Sequence, residues 1–326
     1  MELTAWRTFV TVCRLGSLSA AAVELGYTQS AVSRQIGALE RRFGISLIQR
    51  HPRGVRPSPA GEVFHRRALA ALNEVDRAVE AVRELRDGVP ARPLAVGATP
   101  SLAAGVVPAA MRRVLDAAGV AGPEAGAGEE AKAPGAVEAR PRWSLLPGLS
   151  GRLHERVAVG ELDLAVVTDA PPGLPDDPRV ERRFLGLDEM VVVLPADHPQ
   201  AGRDRLRITE LADQTWAEDN EGSAAMLRRH AARAGVTARV ELAAADLPGK
   251  LALVATGHAI ALMPGVLTGA LRADVSAVAL VDPPTRGIYA ITPSPTATPT
   301  ARAAAAPHPA AGPLLAELTA AFGPMR

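Results

Sequence analysis

A single cysteine in 326 residues excludes a disulfide framework, because a bridge within the chain needs two. That residue, Cys13, falls on the apolar side of the first helical stretch beside Phe9 and Val12 and reads as a small buried hydrophobe, with a redox-sensor role as the alternative. Aromatic residues are scarce at 3%, so any core must be packed with alanine, leucine and valine. Lys132 and Lys250 are the only lysines among 36 basic residues, a bias attributed to a GC-rich coding sequence. No apolar run approaches the roughly 20 residues that span a bilayer, and no basic start leads into an apolar signal core. A cytoplasmic protein without a membrane partner is therefore expected. No glycine-rich phosphate loop and no His-Glu-x-x-His pattern occurs, and the seven histidines are scattered, none beside Cys or Asp at metal-ligand spacing. His198 sits in a Leu-Pro-Ala-Asp-His-Pro stretch that reads as a structural turn. No catalytic residue, metal or cofactor is expected.

What is present is concentrated near the start. The stretch from Leu18 to Ile36 reads as two short helices joined by a tight turn. Ser19 is placed to cap the first and Thr28 the second, and Gly26 stands where the first must stop. Val32, Ile36, Leu39 and Phe43 recur at spacings of four, three and four, which puts them on one buried stripe of the second helix. Gln29, Ser30, Ser33, Arg34 and Gly37 fall elsewhere and are free to face DNA. An ordinary helical hairpin whose polar face merely meets water is the competing reading.

Two short extended runs follow, Leu47 to Arg50 and Val55 to Arg56, around a Pro52–Gly54 turn, and together they read as a wing lying along phosphates. Charge supports this. Residues 1–58 hold eight arginines against three acids, a net +5, whereas the whole chain stands at +1, which leaves the remainder at −4. So modest a charge implies a few phosphate contacts per copy, and useful affinity then calls for more than one copy. From Pro59, behind Ser58 as cap, a long helix is predicted to about Asp87, roughly 40 Å at a rise of about 1.5 Å per residue. Its apolar stripe, Leu72, Val75, Val79, Val82 and Leu85, has near-heptad spacing and is assigned to dimerisation, against the alternative that it packs on its own domain.

The pattern Gly16-Ser17-Leu18, Ala21-Ala22, Leu25, Thr28 to Ile36, Leu39-Glu40, Phe43-Gly44, Leu47, Arg50 and Ser58-Pro59-Ala60-Gly61 resembles the DNA-binding domain and linker helix of the LysR-type transcriptional regulators. Departures are Ser30, where many members carry proline, and Pro57-Ser58, where Leu-Thr is commoner. The resemblance places DNA contacts on Gln29, Ser30, Ser33, Arg34, Arg50 and Arg53. Gln29 and Ser33 are the candidates for base edges, and the arginines for the backbone.

Beyond Arg92 short apolar runs alternate with helical stretches, an α/β arrangement. Strands are predicted at Pro93–Gly97, Trp143–Leu146, Leu162–Val167, Met190–Leu194, Ala259–Pro264 and Ile288–Ile291. This half resembles the family's effector-binding region, two periplasmic-binding-protein-like lobes with a ligand cleft between them. The implied organisation is a winged helix-turn-helix at 1–58, a linker helix at 59–88 and an effector domain at 92–326. Its first lobe is expected at about 92–167 and 285–326, and its second at about 168–284. Two Ala/Gly/Pro-rich inserts, 117–141 and 293–313, are too poor in large apolar groups to offset the entropy of ordering, and a short helix from Leu314 to Phe322 closes the chain. By carry-over from the family, Ser101 and Ser150, each behind a predicted strand, and Ser223, at the opening of a helix, hold the effector, although a serine there is also an ordinary cap. No cluster of arginines or aromatics is legible that would type the ligand.

The expected function is thus a DNA-binding regulator controlled by a small effector, acting as a homodimer or homotetramer on double-stranded DNA, with RNA polymerase a further candidate partner. The alternative is an enzyme or ligand-binding protein on the same two-lobed fold, as in some ATP phosphoribosyltransferases, its winged helix serving only protein interaction.

Overall fold

In the computed structural model, residues 3–52, 54–87, 92–118, 142–294 and 308–323 are described. They fall into two compact units, one holding the elements up to Asp87 together with Ala158–Glu161, the other holding the rest from Arg92.

The first unit is built from α1 (Leu3–Leu15), α2 (Leu18–Leu25), α3 (Gln29–Phe43), the antiparallel hairpin β1 (Ile48–His51) and β2 (Gly54–Pro57), and α4 (Pro59–Asp87). Thr28 caps α3, its side-chain oxygen accepting from Ala31 N, and Gly26 ends α2 with φ at 67°, a left-handed turn that glycine adopts without a Cβ penalty. The cap of α2 is Ser17 and not Ser19, because α2 starts at Leu18 and the donor reached is Ala20 N. Val32, Ile36 and Leu39 are buried with Phe9, Val12, Ala21 and Leu47 in one core. Phe43 departs from the predicted stripe. As the last residue of α3 it is covered only from one side, by Phe64 at a ring separation of 5.0 Å, and stays 43% exposed. Phe64 also meets Trp6 and Phe9, so one ring of α4 holds the long helix on α1 and α3. Ser58 caps α4 as expected, its Oγ accepting from Gly61 N and donating to Ser46 O. Cys13 is half-buried against the core, and burial pushes its thiol up to about 12.

The second unit contains β3 (Leu94–Ala98), α5 (Pro100–Ala103), α6 (Val106–Ala117), β4 (Trp143–Pro147), α7 (Ser150–Ala158), β5 (Leu164–Thr168), β6 (Val180–Pro195) and β7 (Arg205–Leu206). After these come β8 (Thr215–Glu218), α8 (Glu221–Arg233), β9 (Arg239–Ala243), α9 (Leu247–Ala255), β10 (Ala261–Pro264), β11 (Val275–Leu280), β12 (Thr285–Pro293) and α10 (Ala311–Phe322). The predicted strands all appear. All five residues of β5 are buried, the signature of a strand covered on both faces.

The main sheet runs β4-β3-β5-β12-β6-β11-β7, parallel from β4 to β5 and antiparallel where β12 meets β5 and β6. Residues 190–193 of β6 pair with β10, and 191–195 pair with β11, so these two strands flank the second half of β6. The first half of β6 pairs with β12. Two cores result. One gathers β3, β5, α6, α10 and Leu185 of β6, and the other gathers Met190, Val192 and Leu194 of β6 with Trp216, Leu227 and Leu262. The change of core falls inside β6, because a strand of 16 residues, about 50 Å at roughly 3.3 Å each, is long enough to serve both.

Of the two inserts, residues 119–141 and 295–307 lie outside the described residues. Within the rest, Pro293 completes β12 and α10 begins at Ala311, three residues before the predicted start.

Candidate functional site

In the first unit Gln29, Ser30 and Arg34 are exposed and Ser33 is half-buried. At about 100° per residue the four occupy one arc beside the stripe that is locked into the core. Thr28 Oγ1 and Ser30 Oγ lie 3.0 Å apart, which ties the first exposed hydroxyl to the cap. Gln35, also polar, turns inward, and its Oε1 accepts from Thr8 Oγ1 at 2.5 Å.

Glu40, the acid of α3, is also withdrawn from the exposed arc. Its Oε1 accepts from Leu47 N at 2.8 Å, Ser46 Oγ at 3.0 Å and Ile48 N at 3.2 Å, and so fastens the hairpin to α3. Val55 N donates to Gly16 O, fixing the other strand to the α1–α2 turn. Arg50 stands exposed on β1, and Arg41, Arg42 and Arg56 add exposed positive charge that the motif had not singled out. Arg53 lies outside the described residues. On α4, Leu72 is buried within this chain and Val75 half-buried, while Val79 and Val82 stand 47% and 68% exposed. The stripe assigned to pairing is thus partly consumed before any partner arrives. Nothing is described of the Leu85 side chain.

The second unit encloses a cavity of about 520 Å³, and Ser101, Ser150 and Ser223 all line it. None of the three is the cap of its helix. Thr99 and Asn220 stand at the cap positions of α5 and α8, and Asn220 Oδ1 accepts from Ser223 N at 2.9 Å. Ser150 Oγ donates to Thr168 O and accepts from Thr168 N, joining α7 to the end of β5. Ser101 Oγ accepts from Arg286 Nη2 at 2.8 Å. A Cβ on Gly222 would stand 2.5 Å from Pro171 O, so only glycine lets the start of α8 approach the 170–173 loop on the cavity wall.

Contrary to the sequence reading, cations do gather here. Arg286 of β12 faces Asp188 of β6 as a cross-strand pair, donating Nε and Nη2 to Oδ2 at 2.9 and 2.8 Å, and Asp188 Oδ1 accepts from Val266 N. Lys250 of α9 is 1% exposed and donates to Glu218 Oε2 at 2.6 Å and Asp219 Oδ1 at 3.0 Å. Arg152 of α7 is exposed on the wall, with no ion pair among the described residues. Burial raises the Glu218 carboxyl above its ordinary value, opposed by Lys250 and the nearby Ser223 hydroxyl. Glu218 Oε1 and Thr99 Oγ1 are buried without a hydrogen-bond partner. No aromatic side chain is among the lining residues. No group of three or more His, Cys, Asp or Glu able to hold a metal occurs among the described residues.

Comparison with known proteins matches residues 3–62 to the bacterial regulatory helix-turn-helix protein, lysR family, and residues 139–306 to the LysR substrate binding domain. A probable hydrogen peroxide-inducible genes activator of Streptomyces viridosporus is 32% identical over 271 residues, 81% of this chain and 77% of the relative. The small neutral protease regulatory protein of Streptomyces coelicolor is 29% identical over 270 residues, 80% of this chain and 72% of the relative. Among solved structures, CbnR, a LysR family transcriptional regulator, superposes with a TM-score of 0.65 at 18% identity, covering 98% of each chain. Full-length CbnR complexed with its target DNA gives 0.61 at 20% identity, covering 98% of this chain and 97% of the other.

Proposed function

The chain belongs to the LysR family of bacterial transcriptional regulators, and from that membership we propose how its two units divide the work. The protein binds double-stranded DNA through its helix-turn-helix, takes a small-molecule effector in its second unit and works as an oligomer. Residue by residue, Gln29 and Ser33 read base edges, since amide and hydroxyl groups both donate and accept there. Ser30, Arg34, Arg50 and Arg53 hold the phosphates. The observation that carries this reading is the polar arc of α3, turned outward while the adjoining stripe of the same helix is fixed in the core and Glu40 is turned away to hold the hairpin. Self-association through the exposed Val79 and Val82 of α4 doubles the arc. One copy with a net +5 makes few phosphate contacts, and two copies double them.

The effector is held in the cavity by Ser101, Ser150 and Ser223, where wall residues from both cores meet. A ligand touching both biases the equilibrium between their arrangements by its differential affinity, and DNA then changes effector affinity by the same factor. A peroxide response through a cysteine of this unit is excluded, because the chain's one cysteine is Cys13 of α1, with its thiol held protonated by burial. Anisotropy titration of the full chain on its upstream intergenic DNA tests the reading. Sequence-selective binding that weakens linearly in log salt supports it. Indifference to every duplex at low ionic strength sinks it.

A further inference from the structure

The cavity's charges sort by side. The first-core wall supplies Arg152, exposed and without an acidic partner among the described residues, from α7 between β4 and β5. It also supplies Thr99, whose Oγ1 is buried without a hydrogen-bond partner in a residue 94% covered. An idle buried hydroxyl at a cavity wall points to a polar group that occupies the cavity. On the second-core wall Asp219, at the end of β8, shares the single ammonium of Lys250 with Glu218, which stands behind the wall with its Oε1 buried and unpartnered. Glu221, also on this wall, pairs with Arg228, so Glu218 and Asp219 against Lys250 leave one more negative than positive charge. Arg286 does not alter the balance, because Asp188 neutralises it in the same buried pair.

Between the two ends Leu149, Met190, Met226 and Leu247 give the wall an aliphatic stretch beside its serines, with no ring to stack against. Charges of opposite sign at opposite walls match a molecule that carries both signs, since either sign alone meets one unfavourable end.

We propose that the occupant is a small aliphatic amphoteric molecule, an ammonium and a carboxylate on one carbon chain. Its ammonium meets Asp219, and its carboxylate meets Arg152 and the Thr99 hydroxyl. This rests on the reading of the cavity as the effector site and gives that site its ligand class. Because the two charged groups sit on different cores, such a ligand bridges them, whereas a simple acid or a simple amine engages one.

Calorimetric titration of the full chain with three matched probe sets tests this. The sets are short straight-chain amino acids with the ammonium near either end, the carboxylic acids lacking the amine, and the amines lacking the carboxylate. The expected result is an amino acid bound at least about tenfold more tightly than either half-molecule. D219N, which leaves Lys250 its Glu218 partner, is expected to remove that advantage while leaving the carboxylic acids unchanged, and R152A to weaken every carboxylate-bearing probe. An unchanged melting temperature in D219N shows that the fold is kept. A half-molecule that binds as tightly as the amino acid overturns the proposal, as does an absence of binding in all three sets. Carboxylic acids that bind equally well and respond to R152A leave the cavity as the effector site and remove only the ammonium. Amino-acid binding indifferent to both D219N and R152A removes the cavity itself.

Discussion

The two units assemble their functional groups in opposite ways. In the first, the groups assigned to DNA come from one stretch, Gln29 to Arg34, and a hairpin less than thirty residues on, so local helix geometry alone sets their order. In the second, the cavity draws on segments from Thr99 to Arg286, and its contacts join residues 185 apart for Arg286 with Ser101 and 98 apart for Arg286 with Asp188. A surface made from one helix tolerates rearrangement elsewhere in the chain. A site made from many strand ends depends on the whole sheet.

The largest expected test of this contrast is Lys250→Ala. It leaves the buried Glu218 and the half-buried Asp219 without their cation, and breaking a buried pair in this way costs about 3–5 kcal/mol. Chemical denaturation should show the second unit unfolding early while the isolated DNA affinity of the first is retained. Concerted loss of both would show that the units are not separable. Ile36→Ala comes next, at about 2–4 kcal/mol for a fully buried aliphatic truncated in a small core. It should abolish DNA binding and spare ligand binding in the cavity, as read by calorimetry.

A smaller effect separates the two kinds of residue on the α3 arc. Gln29→Ala should cost about 1–3 kcal/mol on the preferred site and flatten sequence preference. Arg34→Ala should instead weaken all sequences alike and lower the salt slope by about one. If Gln29→Ala leaves preference intact, base readout is carried by another side chain.

The smallest expected effect is a pH trend at Glu218. Its carboxyl is raised above the ordinary 4.5, so in the window just above that value the unfolded chain releases the proton before the folded chain does. Stability of the wild type should therefore fall with rising pH relative to Glu218→Gln across that window and run parallel to it at higher pH. A rising difference would mean that Lys250 and not burial dominates this carboxyl.

Much of the fold was legible because its signals are local. Thr28, Gly26 and Ser58 punctuate helices whatever surrounds them, and the apolar runs of β3, β5 and β10 mark strands without reference to partners. Phe43 misled because periodicity says which face a residue occupies and not whether a neighbour covers it at a helix end. Ser19 misled by two residues, since Ser17 offers the same capping hydroxyl. Ser101, Ser150 and Ser223 stand at helix starts to which the family resemblance assigns the effector, and they do line one cavity. Lys250, Arg286, Asp188 and Thr99 carry no such local mark, and a lone lysine in a leucine-rich helix reads as a surface residue until Glu218 and Asp219 are brought beside it.

The sequence by itself determined the helix-turn-helix, the hairpin, the basic balance of the first unit and the α/β nature of the second, because spacing, caps and turn residues act over a few positions. Only the tertiary structure decided which charges share the cavity and which polar groups of α3 are turned inward. Ion pairing and burial depend on distance in space, and strand pairing brings together residues that the chain keeps a hundred or more positions apart.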